Sequence, residues 1–235
     1  MARLPRLVLA HHPHHVIQTG NDGQLIFRAD DDFQQLLVWL KDSARECKVA
    51  IHAYVLMANH FHLLATPATA DGLAQMMQRV GRYYVPWYNA KYQRSGSLFQ
   101  GRFKTSLIDA QHYFMLCSRY IESNPVRSQL VADARDYPWS SYPHHAGLRP
   151  DAVITDHALY WALGNTPFQR EAAYIALSEP GLSAVDRATI DAAVLKGWPL
   201  GSDAFKTELQ QRAKRQVLPA KRGRPFKVKA PESAV

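Results

Sequence analysis

Within "MANHFHLL", Met57 to Leu64, two histidines, His60 and His62, flank a phenylalanine in an otherwise apolar run. Imidazoles at i and i+2 of a strand point to one face, about 6.6 Å apart at roughly 3.3 Å per residue, so the pair could share one divalent cation. Two nitrogens do not complete such a site, which needs a third ligand, ideally an oxygen donor, and open positions for substrate. The competing reading is a pair of satisfied, half-buried histidines. Among the eleven tyrosines, only Tyr120, in "RYIESNPV", has an amide or carboxylate four residues on, in Asn124. Residues at i and i+4 lie on one helix face about 5–6 Å apart, so a phenol and an amide oxygen could stand together beside a cation. Ionising an ordinary tyrosine at neutral pH costs roughly 4 kcal/mol. A divalent ion that holds a scissile phosphate and stabilises the developing anions can offset much of that cost. Alternatively, Tyr120 only packs the end of a helix that Asn124 terminates before Pro125.

The elements that must position these residues are legible from patterning. Val16 to Thr19 reads as a strand closed by the turn signal at Gly20 to Asp22. Asp30, Asp31 and Asp32 supply N-terminal acids for a helix over about Phe33 to Glu46, where Phe33, Leu36, Leu37 and Leu40 recur at helical spacing. Val49–Leu56 and His60–Thr66 read as a hairpin with a tight turn at Met57 to Asn59. Leu73–Tyr92 is helical in pattern, with Pro86 expected to kink or split it. Phe103–Asp109 reads as a strand, and a helix from about Gln111 must stop near Asn124, because Pro125 disfavours helical geometry before it. The order β, α, β, β, α, β, α predicts an α+β fold with a ferredoxin-like (RRM-like) antiparallel sheet and helices on one face. Beyond Pro150 the strands cease, and helices are expected over Asp156–Leu163, Pro167–Leu177, Ala184–Lys196 and Ser202–Lys214. The organisation expected is a core over 1–147, a helical accessory region over 148–218 and a basic tail over 219–235.

A chain of 235 residues, 47% hydrophobic, can bury one good core. The apolar run near the N-terminus is too short for a signal peptide or membrane span, and two cysteines, Cys47 and Cys117, make no disulfide framework. A cytoplasmic protein is expected. The net charge of +8 is concentrated at the end: Lys206 to Lys229 holds nine Lys and Arg against Glu208 alone, and the rest is balanced. Within that tail, Arg222-Gly223-Arg224-Pro225 is similar to the AT-hook core, whose arginines enter a narrow A·T minor groove. A second basic stretch, Gly72 to Ile108, has no acid and carries Arg79, Arg82, Lys91, Arg94, Arg102 and Lys104 among seven aromatic side chains. Cations beside aromatic faces suit single-stranded nucleic acid, each stacked base contributing roughly 1–3 kcal/mol. An amphipathic helix with core aromatics and solvated charges is the plainer alternative. His11, His12, His14 and His15 are read as exposed or phosphate-facing, and Arg119 and Arg127 as phosphate contacts beside Tyr120.

Four blocks in order, "HVIQTGN", "YVLMANHFHLL", "LFQGRFKTSLID" and "RYIESNPVRSQL", resemble the single-tyrosine HUH transposases, and most closely the REP-associated tyrosine transposases, over about Pro13 to Tyr142. The resemblance implies that His60 and His62 are metal ligands, that Asn124 completes a Mg²⁺ or Mn²⁺ site, and that Tyr120 is the nucleophile. It further implies cleavage of single-stranded DNA at hairpin-forming (REP-like) sequences through a 5′-phosphotyrosine, with a free 3′-hydroxyl able to reverse the step, by a monomer or homodimer. The sequence shows no clear copy of the Gly-Thr-Trp-Ser-type signature of some members. The rival class is a non-catalytic protein that binds hairpins or A·T-rich duplex. A metal-dependent phosphohydrolase using water is a third.

Overall fold

The computed structural model describes residues 6–213 and 216–218. Its core runs β1 (His14–Thr19), α1 (Asp30–Glu46), β2 (Val49–Met57), β3 (His60–Pro67), α2 (Gly72–Lys91), β4 (Lys104–Leu107) and α3 (Ala110–Glu122). The strands form one antiparallel sheet in the order β2-β3-β1-β4, the ferredoxin-like arrangement that the element order predicts.

Strand alternation sorts the sheet's two faces. Phe61, Leu63 and Ala65 of β3 join Val16 of β1 in a core with Leu36 and Leu40 of α1 and Met76, Val80, Tyr84 and Tyr88 of α2. Leu64 faces the other way, into a second core with Phe114, Cys117 and Tyr120 of α3. Helices therefore cover both faces, not one, because β2 is apolar along nearly its whole length and cannot leave either side in water.

Two local features depart from the pattern. Helix α2 runs unbroken through Pro86. Pro86 is exposed, so its ring lies on the solvent side, where the carbonyl that lacks a partner can be hydrated. Helix α3 ends at Glu122, and Asn124 opens a separate turn, α4 (Asn124–Arg127), with Pro125 in its first turn. Proline is accommodated there because its missing N–H would have no helical partner.

The remaining helices are α5 (Tyr142–His145), α6 (Ala158–Trp161), α7 (Pro167–Ser178), α8 (Ala184–Lys196) and α9 (Asp203–Arg212). Helix α8 packs on the second core through Ile190 and Ala193. The chain after it runs along the edge of the sheet: Leu200 N–H donates to Leu107 O, Asp109 N–H donates to Leu200 O, and Ser106 Oγ donates to Trp198 O. A four-strand sheet otherwise has an open β4 edge, and this segment covers it. Glu122 of α3 points away from Tyr120, as its i+2 spacing requires, and is buried among Ser141 Oγ, Tyr174 Oη and His145 Nδ1, all hydrogen-bonded to its carboxylate. No helix among the described residues is long and apolar enough to cross a membrane. Both cysteines are free thiols.

Candidate active site

The β2–β3 hairpin turns through only Ala58 and Asn59, which fixes the register and sets His60 and His62 on the face covered by α3. Their ring centroids are 5.1 Å apart and nearly perpendicular. Tyr120, on the facing side of α3, lies with its ring 6.0 Å from that of His62 and edge-on to it. The hairpin pair and the phenol, which the sequence separates by some sixty residues, are thus neighbours across the sheet–helix interface.

A further imidazole completes the group. His15 of β1 is fully buried, its Nε2 2.8 Å from His62 Nδ1, and its ring 5.6 Å from that of Tyr120. The expectation that His14 and His15 are exposed or phosphate-facing fails as to exposure: both belong to β1 and are 0% exposed. The signal was present: in "HHVIQT" the alternation that sends Val16 into the first core sends His15 to the face of His62.

All three site imidazoles are neutral at ordinary pH. Burial, with the charge of Arg127, lowers His15 to about 3 and His60 to about 4. His62 is held well below its usual value by burial, by His15 and His60, and by Arg127. Neutral imidazole is the form that ligates metal. His60 Nδ1 must donate to Asn59 Oδ1 at 2.7 Å, since a carbonyl oxygen only accepts, so His60 offers Nε2 as a lone pair. His62 does the same if its Nδ1–H donates to His15 Nε2, which puts the His15 proton on Nδ1, a buried atom with no partner. Two Nε2 donors with oriented partners behind them fit a divalent ion. Among the described residues no three His, Cys, Asp or Glu side chains gather where they could hold a metal, so a third protein donor must be of another type. Asn124 is an amide, buried to 7% exposure, with its Oδ1 accepting from Ser128 Oγ at 3.3 Å.

Tyr120 is 3% exposed. Its hydroxyl donates to Asp191 Oδ1 of α8 at 2.5 Å, and the Arg127 guanidinium lies 4.1 Å from its ring centroid while donating to its carbonyl at 3.0 Å. Burial and the Asp191 contact push the phenol up to about 12, against an opposing effect of Arg127. The resting site thus keeps Tyr120 protonated. Asp191 is the residue that motif reasoning missed, because it stands on a helix with no motif of its own.

The predicted basic contacts divide into groups. Arg119 and Arg127 line a cavity of about 400 Å³ beside α3, together with Arg135 and Arg187. Arg119 donates to Gly181 O at 2.7 Å, and the Nε atoms of both Arg119 and Arg127 are buried without a hydrogen-bond partner. In the acid-free stretch, Arg79 is paired with Glu46 at 2.9 Å, and Lys91 with Asp31 and Asp32, each at 2.6 Å. Arg94 donates to Ser97 O at 3.3 Å, Arg82 and Arg102 are exposed, and Lys104 is half-buried. The aromatic side chains between them divide: Tyr84 and Tyr88 are fully buried, their hydroxyls donating to Ile26 O and Leu25 O, Phe103 is buried, Trp87, Tyr92 and Phe99 are half-buried, and Tyr83 is exposed. Arg222 and Arg224 lie outside the described residues.

The ferredoxin-like sheet sets two histidines of its inner strand β3 opposite a tyrosine on the helix after the last strand, the arrangement expected from the resemblance to the single-tyrosine HUH transposases. Residues 8–124 match the family model described as "Transposase IS200 like", a family of DNA-processing enzymes. Among solved structures, a REP-associated tyrosine transposase bound to a REP hairpin aligns over 67% of this chain and 96% of its own, with 19% identity and a TM-score of 0.53, and shares the fold. A protein of Deinococcus radiodurans R1, provisionally described as a transposase, aligns over 49% of this chain and 93% of its own, with 16% identity and a TM-score of 0.36. A search of the curated proteins finds no match.

Proposed function

We propose that the protein is a REP-associated type of tyrosine transposase, a metal-dependent enzyme that nicks and rejoins single-stranded DNA at hairpin-forming sequences through a covalent 5′-phosphotyrosine on Tyr120. The observation that carries this reading is the edge-on placement of the Tyr120 ring 6.0 Å from His62, next to His60 on the same face. A pure binding protein has no physical need for this constellation. The hairpin-bound relative of the same fold supports hairpin DNA as the partner.

In this reading His60 and His62, through Nε2, and Asn124, through its amide oxygen, hold Mg²⁺ or Mn²⁺. When bound, such an ion polarises the scissile phosphate and stabilises charge on it. Arg127, set over the Tyr120 ring, adds a fixed cation for a phosphate that reaches the phenol, and Arg119 on the neighbouring cavity wall extends that positive surface. Because the Tyr120 adduct conserves the energy of the phosphodiester, the 3′-hydroxyl can reverse the cleavage without a nucleotide cofactor. Residues 1–147 form the nuclease unit, 148–218 its helical support and 219–235 a basic tail.

The test is a labelled oligonucleotide with a hairpin and single-stranded flanks, incubated with Mn²⁺ or Mg²⁺ and resolved under denaturing conditions. Wild type is expected to carry covalently attached DNA, and Tyr120→Phe none. Absence of an adduct across a broad set of hairpins, with tight binding retained, would establish the non-catalytic alternative instead.

A further inference from the structure

We propose that Asp191 is a catalytic residue of this site: its carboxylate takes the Tyr120 proton as the phenol attacks the phosphate, and returns it when the strand is rejoined. This rests on Tyr120 being the nucleophile. It adds a group from outside the segment 8–124 that carries the family match.

The geometry is direct. Asp191 Oδ1 is the acceptor of the Tyr120 hydroxyl, within the reach that a general base needs. It also stands on a rigid support. Helix α8 is capped at its start by Ser183, whose Oγ accepts from Asp186 N–H at 3.0 Å, and at its end by Gly197 in left-handed geometry with φ of 71°. On either side of Asp191, Ile190 and Ala193 are buried in the second core, where Tyr120 itself packs. The segment after the helix is hydrogen-bonded to β4 and to Asp109. The helix that carries the carboxylate is therefore fixed at both ends and along its buried face.

Asp191 does not supply a standing phenolate, since a carboxylate accepting from a phenol favours its neutral form. Its use comes later, when the forming Oη–P bond makes the phenol proton acidic and an adjacent acceptor spares its transfer to bulk water. Protein kinases use an aspartate in this way for a substrate hydroxyl. The step balances as follows. The Tyr120 Oη–H bond breaks to Asp191 Oδ1, the Oη–P bond forms, and the P–O3′ bond breaks. The 3′-oxygen takes a proton from water. In the reverse step the 3′-hydroxyl gives its proton back to solvent as its oxygen attacks phosphorus, the Oη–P bond breaks, and protonated Asp191 gives its proton to the departing phenolate.

Two substitutions separate proton transfer from placement. In Asp191→Asn the amide oxygen can still accept the hydrogen bond but cannot take the proton, whereas Asp191→Glu keeps the base on a longer arm. Single-turnover adduct formation on a hairpin oligonucleotide with Mn²⁺ is expected to slow by about 10²–10⁴-fold in Asp191→Asn. Hairpin affinity and melting temperature should stay unchanged, and Asp191→Glu should recover a large part of the rate. A rate for Asp191→Asn within about threefold of wild type, or faster than wild type, overturns the proposal while leaving Tyr120 as nucleophile. Equal losses in Asp191→Asn and Asp191→Glu also overturn it and assign a purely structural contact. A wild-type protein that forms no adduct overturns the nucleophile and, with it, this role.

Discussion

Replacing His15 by Phe tests whether the imidazole behind His62 prepares it for metal. The ring stays in its slot between His62, 5.1 Å away, and Tyr120, 5.6 Å away, but the nitrogen at 2.8 Å from His62 Nδ1 is lost. A buried His62 Nδ1 without a partner costs about 1–3 kcal/mol. The variant also removes the orphaned Nδ1 of His15, so the net loss of stability should be near 1 kcal/mol, or about 2–4 °C in melting temperature for a domain of this size. The larger effect is expected on metal binding. With no acceptor behind it, His62 has no reason to keep its proton on Nδ1, and the tautomer with a free Nε2 becomes less populated. Loss of such an outer partner typically weakens metal affinity 10–100-fold, which is about 1.4–2.7 kcal/mol. Mn²⁺ titration followed by electron paramagnetic resonance, with thermal unfolding as the control for folding, measures both. A folded His15→Phe protein that binds Mn²⁺ as tightly as wild type would refute the tautomer reasoning.

Asp32 gives a pH-dependent prediction. Burial raises its carboxyl, but Lys91, the Arg28 and Ala29 N–H groups and the Tyr92 hydroxyl outweigh it, leaving the folded value below that of an ordinary aspartate. A depressed carboxyl contributes stability above its unfolded value and loses it as pH falls through the folded one. The stability gap between wild type and Asp32→Asn, measured by urea unfolding, should be full above pH 5 and shrink below pH 4; a gap independent of pH would contradict this. Pro86→Ala should raise the melting temperature by a few degrees, because α2 continues through an exposed Pro86 and an alanine restores its N–H bond. A fall would show that the ring's packing matters more than the bond.

Much of the core was legible because it rests on local periodicity. The period of two in β3 placed His60 and His62 on one face, and the period of 3.6 in α1 marked Phe33, Leu36 and Leu40 for burial. Element order did the rest for the sheet. What pattern could not show are contacts between residues far apart in the chain whose types are unremarkable locally. His15 meets His62 only through the β1–β3 pairing, and Asp191 meets Tyr120 only because α8 folds back across the second face. Tyr84 and Tyr88 of α2, which could have belonged to either a stacking surface or the core, belong to the core. Tyrosine suits both a stacking platform and a core with a carbonyl for its hydroxyl, and the Leu25 and Ile26 carbonyls decide for the core. Lys91 looked free because its partners, Asp31 and Asp32, lie about sixty residues earlier.

The distance in sequence between Tyr120 and Asp191, 71 residues, gives synthesis on the ribosome a role in the timing of reactivity. At about 5–20 residues per second, the phenol leaves the peptidyl-transferase centre roughly 4–14 s before the carboxylate that caps it. The strip that covers the β4 edge follows later still. A nascent chain, or one cut short by a premature stop before α8, therefore exposes the hairpin histidines and Tyr120 without their final neighbour, so the coding order itself delays a finished site until α8 has been made.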